Sequence, residues 1–159
     1  MNTIPPVRPG RQITGMSAIL LPFRDDGSID WAAFEAHVVR TAEAGLRPAV
    51  NMDTGYVQLL DAATVTNVLD RTAALTAGRF VAGAYVADAP GDGHDEAALL
   101  RAAEAIADRG GTPVVFPSNG LAALTEGEWV DAHARVGDAV GPFIGFELGT
   151  MFVPYGRIV

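Results

Sequence analysis

The chain has 159 residues, of which 49% are hydrophobic and 19% are charged, and this size and composition fit one globular domain with its own core. The formal net charge of −8 argues against binding to nucleic acid or to an anionic membrane surface. The absence of cysteine excludes disulfides and thiolate metal sites, and no apolar run is long enough to span a bilayer. These features fit a cytoplasmic protein.

The chain divides into a short N-terminal extension, residues 1–12, and one domain, residues 13–159. The extension contains Pro5, Pro6 and Pro9 and lacks the apolar segment of a signal peptide. Four helices are predicted in the domain, because each has a capping residue, an apolar stripe at helical spacing and a glycine at its end. Their N-caps are Asp30, Asp61, Asp95 and Thr125, and their terminating glycines are Gly45, Gly78, Gly110 and Gly137 or Gly141.

Five short apolar runs alternate with these helices. They cover residues 16–21, 48–52, 80–86, 113–116 and 143–146. Nearly continuous apolar character over so few residues is typical of strands buried on both faces, and therefore of a parallel sheet. The alternation predicts repeated βα units, and the glycines Gly45, Gly78 and Gly110, which recur about every 32 residues, indicate one repeated unit rather than two domains.

The most specific pattern of the chain lies in residues 13–38, where an apolar strand is followed by Leu-Pro-Phe and then by Asp-Gly-Ser-Ile-Asp. Together with later positions, this pattern resembles the N-terminal portion of the dihydrodipicolinate synthase and N-acetylneuraminate lyase family of class I aldolases. The resemblance covers essentially the whole chain after residue 12. The matching positions are Pro22, Phe23, Asp26, Gly27, Ile29, Asp30, Thr54, Gly55, Gly78, Arg79 and Gly83.

The resemblance implies an α/β fold of the (β/α)8 TIM-barrel type, here an incomplete barrel of five parallel strands and four helices. Length alone favours an open flavodoxin-like sheet of five strands, since a complete barrel usually needs roughly 250 residues. The resemblance reverses that preference. It also implies a small-molecule keto-acid substrate, no cofactor, and a homo-oligomer, often a tetramer.

All eleven basic residues of the chain are arginines. The chemistry of the family depends on a lysine of the sixth strand, whose amine attacks the carbonyl of a keto acid. A guanidinium cannot replace this amine, because it stays protonated in water and is not a nucleophile. The chain stops after the predicted fifth strand, and residues 154–159 read as the approach to another helix. We therefore expect the N-terminal part of a Schiff-base lyase, which alone forms no imine.

In barrels of this type the working residues lie at the carboxyl ends of the strands. After the second strand, the resemblance implies that Thr54 and Gly55 help to hold the substrate carboxylate. Asp53 stands where the family has a first threonine, and an ionised aspartate cannot donate a hydrogen bond and repels a carboxylate. The alternative is that Asp53 and Thr54 only cap a turn. The strand ends selected in this way are Pro22 and Phe23, Asp53 to Gly55, Ala87 and Asp88, Pro117 to Asn119, and Phe146 and Glu147.

At the end of the fifth strand, the resemblance implies a tyrosine that passes protons to and from the substrate, and this chain has Phe146 there. Phenylalanine has no hydroxyl, so the proton relay is changed or moved. Glu147 is the next residue and could act as an acid or base if partly buried, or lie in a solvated loop. Ser118 and Asn119 follow the fourth strand, where the resemblance places the substrate entrance.

Two hypotheses from other classes remain open. The first is a metal-dependent lyase in which Asp53 and Glu147 hold a divalent ion and His94 adds a nitrogen ligand. The second is a non-catalytic half-barrel or a flavodoxin-like binding module. Neither depends on a lysine, and neither is supported by a recognisable motif.

Overall fold

The structure is a computed structural model that describes residues 9–10, 12–149, 151 and 156. The predicted extension and the predicted approach to a helix at residues 154–159 lie almost wholly outside this part of the chain. Within it, all five predicted strands are present and pair in parallel in one sheet. The strands are β1 (Met16–Ala18), β2 (Arg47–Val50), β3 (Val81–Ala84), β4 (Thr112–Val115) and β5 (Ile144–Gly145).

The strands lie in the order β1-β2-β3-β4-β5, so each strand neighbours the strand before it in the sequence. A flavodoxin-like sheet would have the order 2-1-3-4-5. The sequential order is that of a (β/α) barrel, whose helices all cover one face of a curled sheet. The prediction of a (β/α)-barrel fold is therefore confirmed, and the flavodoxin-like alternative is wrong.

The four predicted helices are confirmed, and each N-cap side chain accepts a backbone hydrogen bond as expected. A fifth helix of one turn, α4, was not predicted. None of the described helices is long and apolar enough to cross a membrane. The helices are α1 (Trp31–Glu43), α2 (Ala62–Thr76), α3 (Glu96–Ala107), α4 (Asn119–Ala122) and α5 (Glu126–Val140).

The central strands β2 to β4 are buried on both faces, as the continuous apolar runs predicted, whereas the edge strands β1 and β5 are exposed or half-buried. Between sheet and helices, Val50 and Ala82 pack with helix residues such as Phe34 and form the larger cluster. On the opposite, inner face, Val81 and Phe116 belong to a smaller cluster. Because successive side chains of a strand point to opposite faces, adjacent residues such as Val81 and Ala82 serve different clusters.

Helix α5 begins with the capping box predicted from the sequence. The Thr125 hydroxyl accepts a hydrogen bond from the Glu128 backbone N–H, and the Glu128 carboxylate accepts one from the Thr125 N–H at 3.0 Å. We expect Thr125→Ala to lower the free energy of unfolding by about 1 kcal/mol in urea titrations, because a helix N–H loses its partner. Thr66→Ala, within α2 and exposed, is the control and should change it by less than about 0.5 kcal/mol. Equal losses for the two variants would contradict this assignment.

Candidate active site

A cleft of about 360 Å³ opens at the carboxyl ends of β2 to β5. This is the end of the sheet at which (β/α) barrels carry their active sites. Apolar side chains make up one wall, among them Val57, Phe116, Phe146 and Leu148. The polar residues of the cleft are Asp53, Gln58, Tyr85, Asp88 and Ser118.

A row of aromatic residues crosses the inner face at the cleft. Ala84 of β3 is paired with Val115 of β4, and Val115 is paired with Gly145 of β5. The next residues on these strands are Tyr85, Phe116 and Phe146, all three of which line the cleft and belong to the inner-face cluster.

The pairing continues into this row. The Phe116 N–H donates to the Ala84 carbonyl at 3.4 Å, and the Phe146 N–H donates to the Val115 carbonyl at 3.0 Å. The rings of Phe116 and Phe146 meet edge to face, with centroids 5.3 Å apart. Tyr85 therefore carries the one hydroxyl of a three-residue aromatic row.

The turn after β2 brings one of its three candidate residues to the cleft. Residues Asp53–Gly55 form a 3-10 turn in which Asp53 and Thr54 are exposed and Gly55 is buried. Asp53 lines the cleft, whereas Thr54 does not. A Cβ atom on Gly55 would lie 3.3 Å from the Ile19 carbonyl oxygen, so a glycine permits the turn to pack closely on the end of β1.

Asp88 joins the loop after β3 to the start of α4. Its carboxylate accepts hydrogen bonds from the Asn119 N–H at 2.9 Å, the Asn119 side-chain amide at 2.9 Å and the Gly120 N–H at 2.7 Å. Ser118 is the N-cap of α4 and is buried, and its hydroxyl accepts from the Leu121 N–H. Thus Ser118 and Asn119, predicted at the substrate entrance, make hydrogen bonds that organise this wall of the cleft.

The hydrogen bonds set the charge state of Asp88. Desolvation by burial, the largest single influence, raises the pKa of this carboxyl. The bonds from Gly120 and Asn119, with a further one from the Ser118 side chain, together outweigh it and hold the pKa of Asp88 below its usual value. The carboxylate is therefore ionised, and its charge is satisfied by the donors at the start of α4.

Glu147 lies outside the lining of the cleft, although Phe146 and Leu148 on either side of it belong to that lining. Its carboxylate approaches the ring of His133 in α5, with 4.0 Å between Glu147 Oε1 and His133 Nε2. The His133 ring stacks on Trp129 at 3.9 Å between centroids, and its Nδ1 lies 2.9 Å from the Trp129 carbonyl. The arrangement directs Glu147 toward the helix layer rather than toward a substrate.

The hypothetical metal ligands are not brought together. Asp53 borders the cleft and Glu147 faces α5. His94 has a buried Nε2 without a hydrogen-bond partner, and burial lowers the pKa of its ring. Among the residues that the structure describes, no three His, Cys, Asp or Glu side chains are grouped so that they could hold a metal ion.

Tyr85 and Gln58 are cleft residues that sequence reasoning missed. Tyr85 lies two residues after Gly83 in the uninterrupted apolar run 80–86, where no alternation reveals which side chains face inward. The length of that run could have indicated Tyr85. The run is longer than the four residues of β3, so its last residues extend beyond the end of the strand and into the cleft. Gln58 belongs to a second 3-10 turn (Val57–Leu59) that no sequence signal indicated.

Solved structures that superpose on this chain include dihydrodipicolinate synthases and a 2-keto-3-deoxygluconate aldolase. A putative dihydrodipicolinate synthetase from Pseudomonas aeruginosa superposes with a TM-score of 0.70 at 24% identity, covering 86% of this chain and 46% of that chain. A dihydrodipicolinate synthase from Acinetobacter baumannii, complexed with pyruvate, gives 0.67 at 21% identity, with 86% and 46% covered. A variant of 2-keto-3-deoxygluconate aldolase from Sulfolobus solfataricus gives 0.65 at 16% identity, with 85% and 44% covered.

The fold is an incomplete (β/α) barrel that matches a part of each of these barrels. At these identities the likeness shows the fold alone, and the chain spans less than half the length of the structures it matches. The resemblance predicted from residues 13–38 is confirmed at that level. No protein-family model matches the sequence, and no curated protein matches it.

Proposed function

We propose that this chain is the N-terminal part of a Schiff-base lyase or aldolase of the dihydrodipicolinate synthase family that acts on a 2-keto acid. One observation carries the proposal: a cleft lies at the carboxyl ends of the strands, in a fold shared with solved dihydrodipicolinate synthase structures. The lysine amine would come from a later strand of a longer product. For that product we also propose a cytoplasmic homo-oligomer.

The apolar wall of the cleft suits a Schiff-base intermediate. The apolar wall formed by Val57, Phe116 and Phe146 limits the access of water, which would hydrolyse an imine. Thr54 and Gly55, which the resemblance assigns to the substrate carboxylate, lie outside the lining of the cleft, and the Gly55 N–H donates to the Met52 carbonyl at 3.0 Å. Asp53 in the same turn after β2 disfavours a second anionic group close by. We therefore expect the substrate to differ from the substrates of family members that have a threonine at this position.

The test compares this chain with the longer product of the same reading frame. Each is incubated with pyruvate and borohydride, and the adduct is located by peptide mass spectrometry. We expect a reduced adduct on one lysine of the longer product and no internal adduct in this chain, because only a free amine forms an imine. A longer product that carries a lysine on its sixth strand and forms no adduct would contradict the proposal. An open frame without any lysine would favour a non-catalytic half-barrel.

A further inference from the structure

We infer that Tyr85 is the catalytic residue that moves the proton of the reaction, from the third strand rather than the fifth. The inference rests on the proposed function, because it assigns a step of that chemistry. Phe146 cannot exchange a proton, since its ring has no hydroxyl. Tyr85 lines the same cleft, and it lies in the same row of the inner face with only Phe116 between them.

The proton step has a defined balance. Beside the positively charged iminium that a keto acid forms with the lysine amine, Tyr85 first loses its hydroxyl proton to solvent, and the resulting phenolate then accepts a proton from C3. The C–H electron pair becomes the C2=C3 double bond of the enamine, and the iminium nitrogen loses its positive charge. When C3 then bonds to an aldehyde carbon, the phenol returns the proton to the aldehyde oxygen. One residue in contact with both positions is sufficient for this exchange.

The strand order sets the distance between the backbone of Tyr85 and the backbone of Phe146, where the resemblance implies a tyrosine. Neighbouring strands lie about 4.8 Å apart, so the backbones that carry Tyr85 and Phe146 are separated by about 10 Å across β4. The edge-to-face contact of Phe146 with Phe116 gives the β5 end an apolar surface. The proton-transfer group is then displaced toward β3, and the reacting carbon of the substrate should lie nearer β3 as well.

The other polar residues of the cleft are less suitable. The Asp88 carboxylate is ionised and occupied by three hydrogen bonds at the start of α4. The buried Ser118 hydroxyl caps the same helix. Gln58 does not titrate. Asp53 is exposed in its turn, where water competes for its carboxylate, and it is the rival that an experiment must separate from Tyr85.

The experiment uses the longer, lysine-bearing product, with pyruvate as the probe and two independent readouts. Borohydride trapping measures imine formation, and deuterium incorporation at C3 in D₂O, followed by NMR, measures proton transfer. We expect Tyr85→Phe to form the imine to the wild-type extent and to lose C3 exchange by at least about 100-fold. Tyr56→Phe removes a hydroxyl from an exposed residue outside the cleft lining and should leave both readouts unchanged.

The outcomes separate the two proposals. Absence of an imine in the wild-type protein would overturn the proposed function, whatever Tyr85 does. Normal imine formation with C3 exchange within threefold of wild type in Tyr85→Phe would overturn the assignment of Tyr85 alone. Loss of exchange in Asp53→Asn, with exchange retained in Tyr85→Phe, would overturn it too and assign the step to the aspartate.

Discussion

Gly83→Ala is expected to lower the free energy of unfolding by at least about 3 kcal/mol, near the upper end of the range for overpacking in a core. A Cβ atom at this position would lie 2.2 Å from the Asn51 carbonyl oxygen and 2.4 Å from Cε2 of Phe116. The first contact is with backbone, so no rotamer change relieves it. Equilibrium unfolding in urea, followed by circular dichroism, measures the loss.

The same substitution should also deform the cleft. Phe116 contacts Phe146 edge to face, so displacing its ring moves the aromatic row together with Tyr85. Gly145→Ala is the matched control, because this glycine also belongs to the sheet and an added Cβ would have no heavy atom within 4 Å. We expect its unfolding free energy to stay within about 0.5 kcal/mol of wild type. Comparable losses in the two variants would show that Gly83 is not a site of close contact.

Asp88→Asn should destabilise the protein by about 2–3 kcal/mol at neutral pH, because the start of α4 loses a charged acceptor that takes three hydrogen bonds. An asparagine side chain retains one acceptor oxygen and places an NH₂ group against a backbone N–H. Asp92→Asn is the control, since its exposed carboxylate accepts a single backbone bond, from Ala89. Its expected loss is below about 1 kcal/mol.

The pH dependence distinguishes lost charge from lost packing. The pKa of Asp88 is lowered by folding, so the unfolded chain binds the proton more readily and stability rises with pH. The stabilisation contributed by Asp88 is fully present at pH values above the ordinary pKa range of aspartate. It is lost as the pH falls through the lowered pKa of Asp88 in the folded protein. The difference in unfolding free energy between wild type and Asp88→Asn should therefore shrink below about pH 4. A difference that stays constant down to pH 2 would contradict this electrostatic origin.

The helices could be predicted because their signals are local. Asp30, Asp61, Asp95 and Thr125 each cap a backbone N–H three residues later, an interaction contained within a single turn of chain. Helix α4 could not be predicted in this way. Four residues do not form a stable helix alone, and this one begins where Asp88, 31 residues earlier, accepts its first N–H groups.

The candidate site was predictable in position and only partly in composition. The rule that strand ends carry the working residues selects the correct edge of the sheet, with Asp53, Ser118 and Phe146 among the residues that line the cleft. It does not determine which of two consecutive side chains faces inward. Glu147 and Tyr85 both depend on that choice, which is fixed by pairing with a neighbouring strand about 30 residues away in sequence.

The sequential order of the strands has a consequence for how the chain is synthesised. Each described strand after β1 hydrogen-bonds to the strand translated immediately before it, so one of its partners is already made. As the chain emerges from the ribosome at about 5–20 residues per second, each new βα unit can dock on a finished edge within seconds of its synthesis. Folding of this protein can therefore proceed from the N-terminus in steps of one unit, with each newly added strand forming the template for the next.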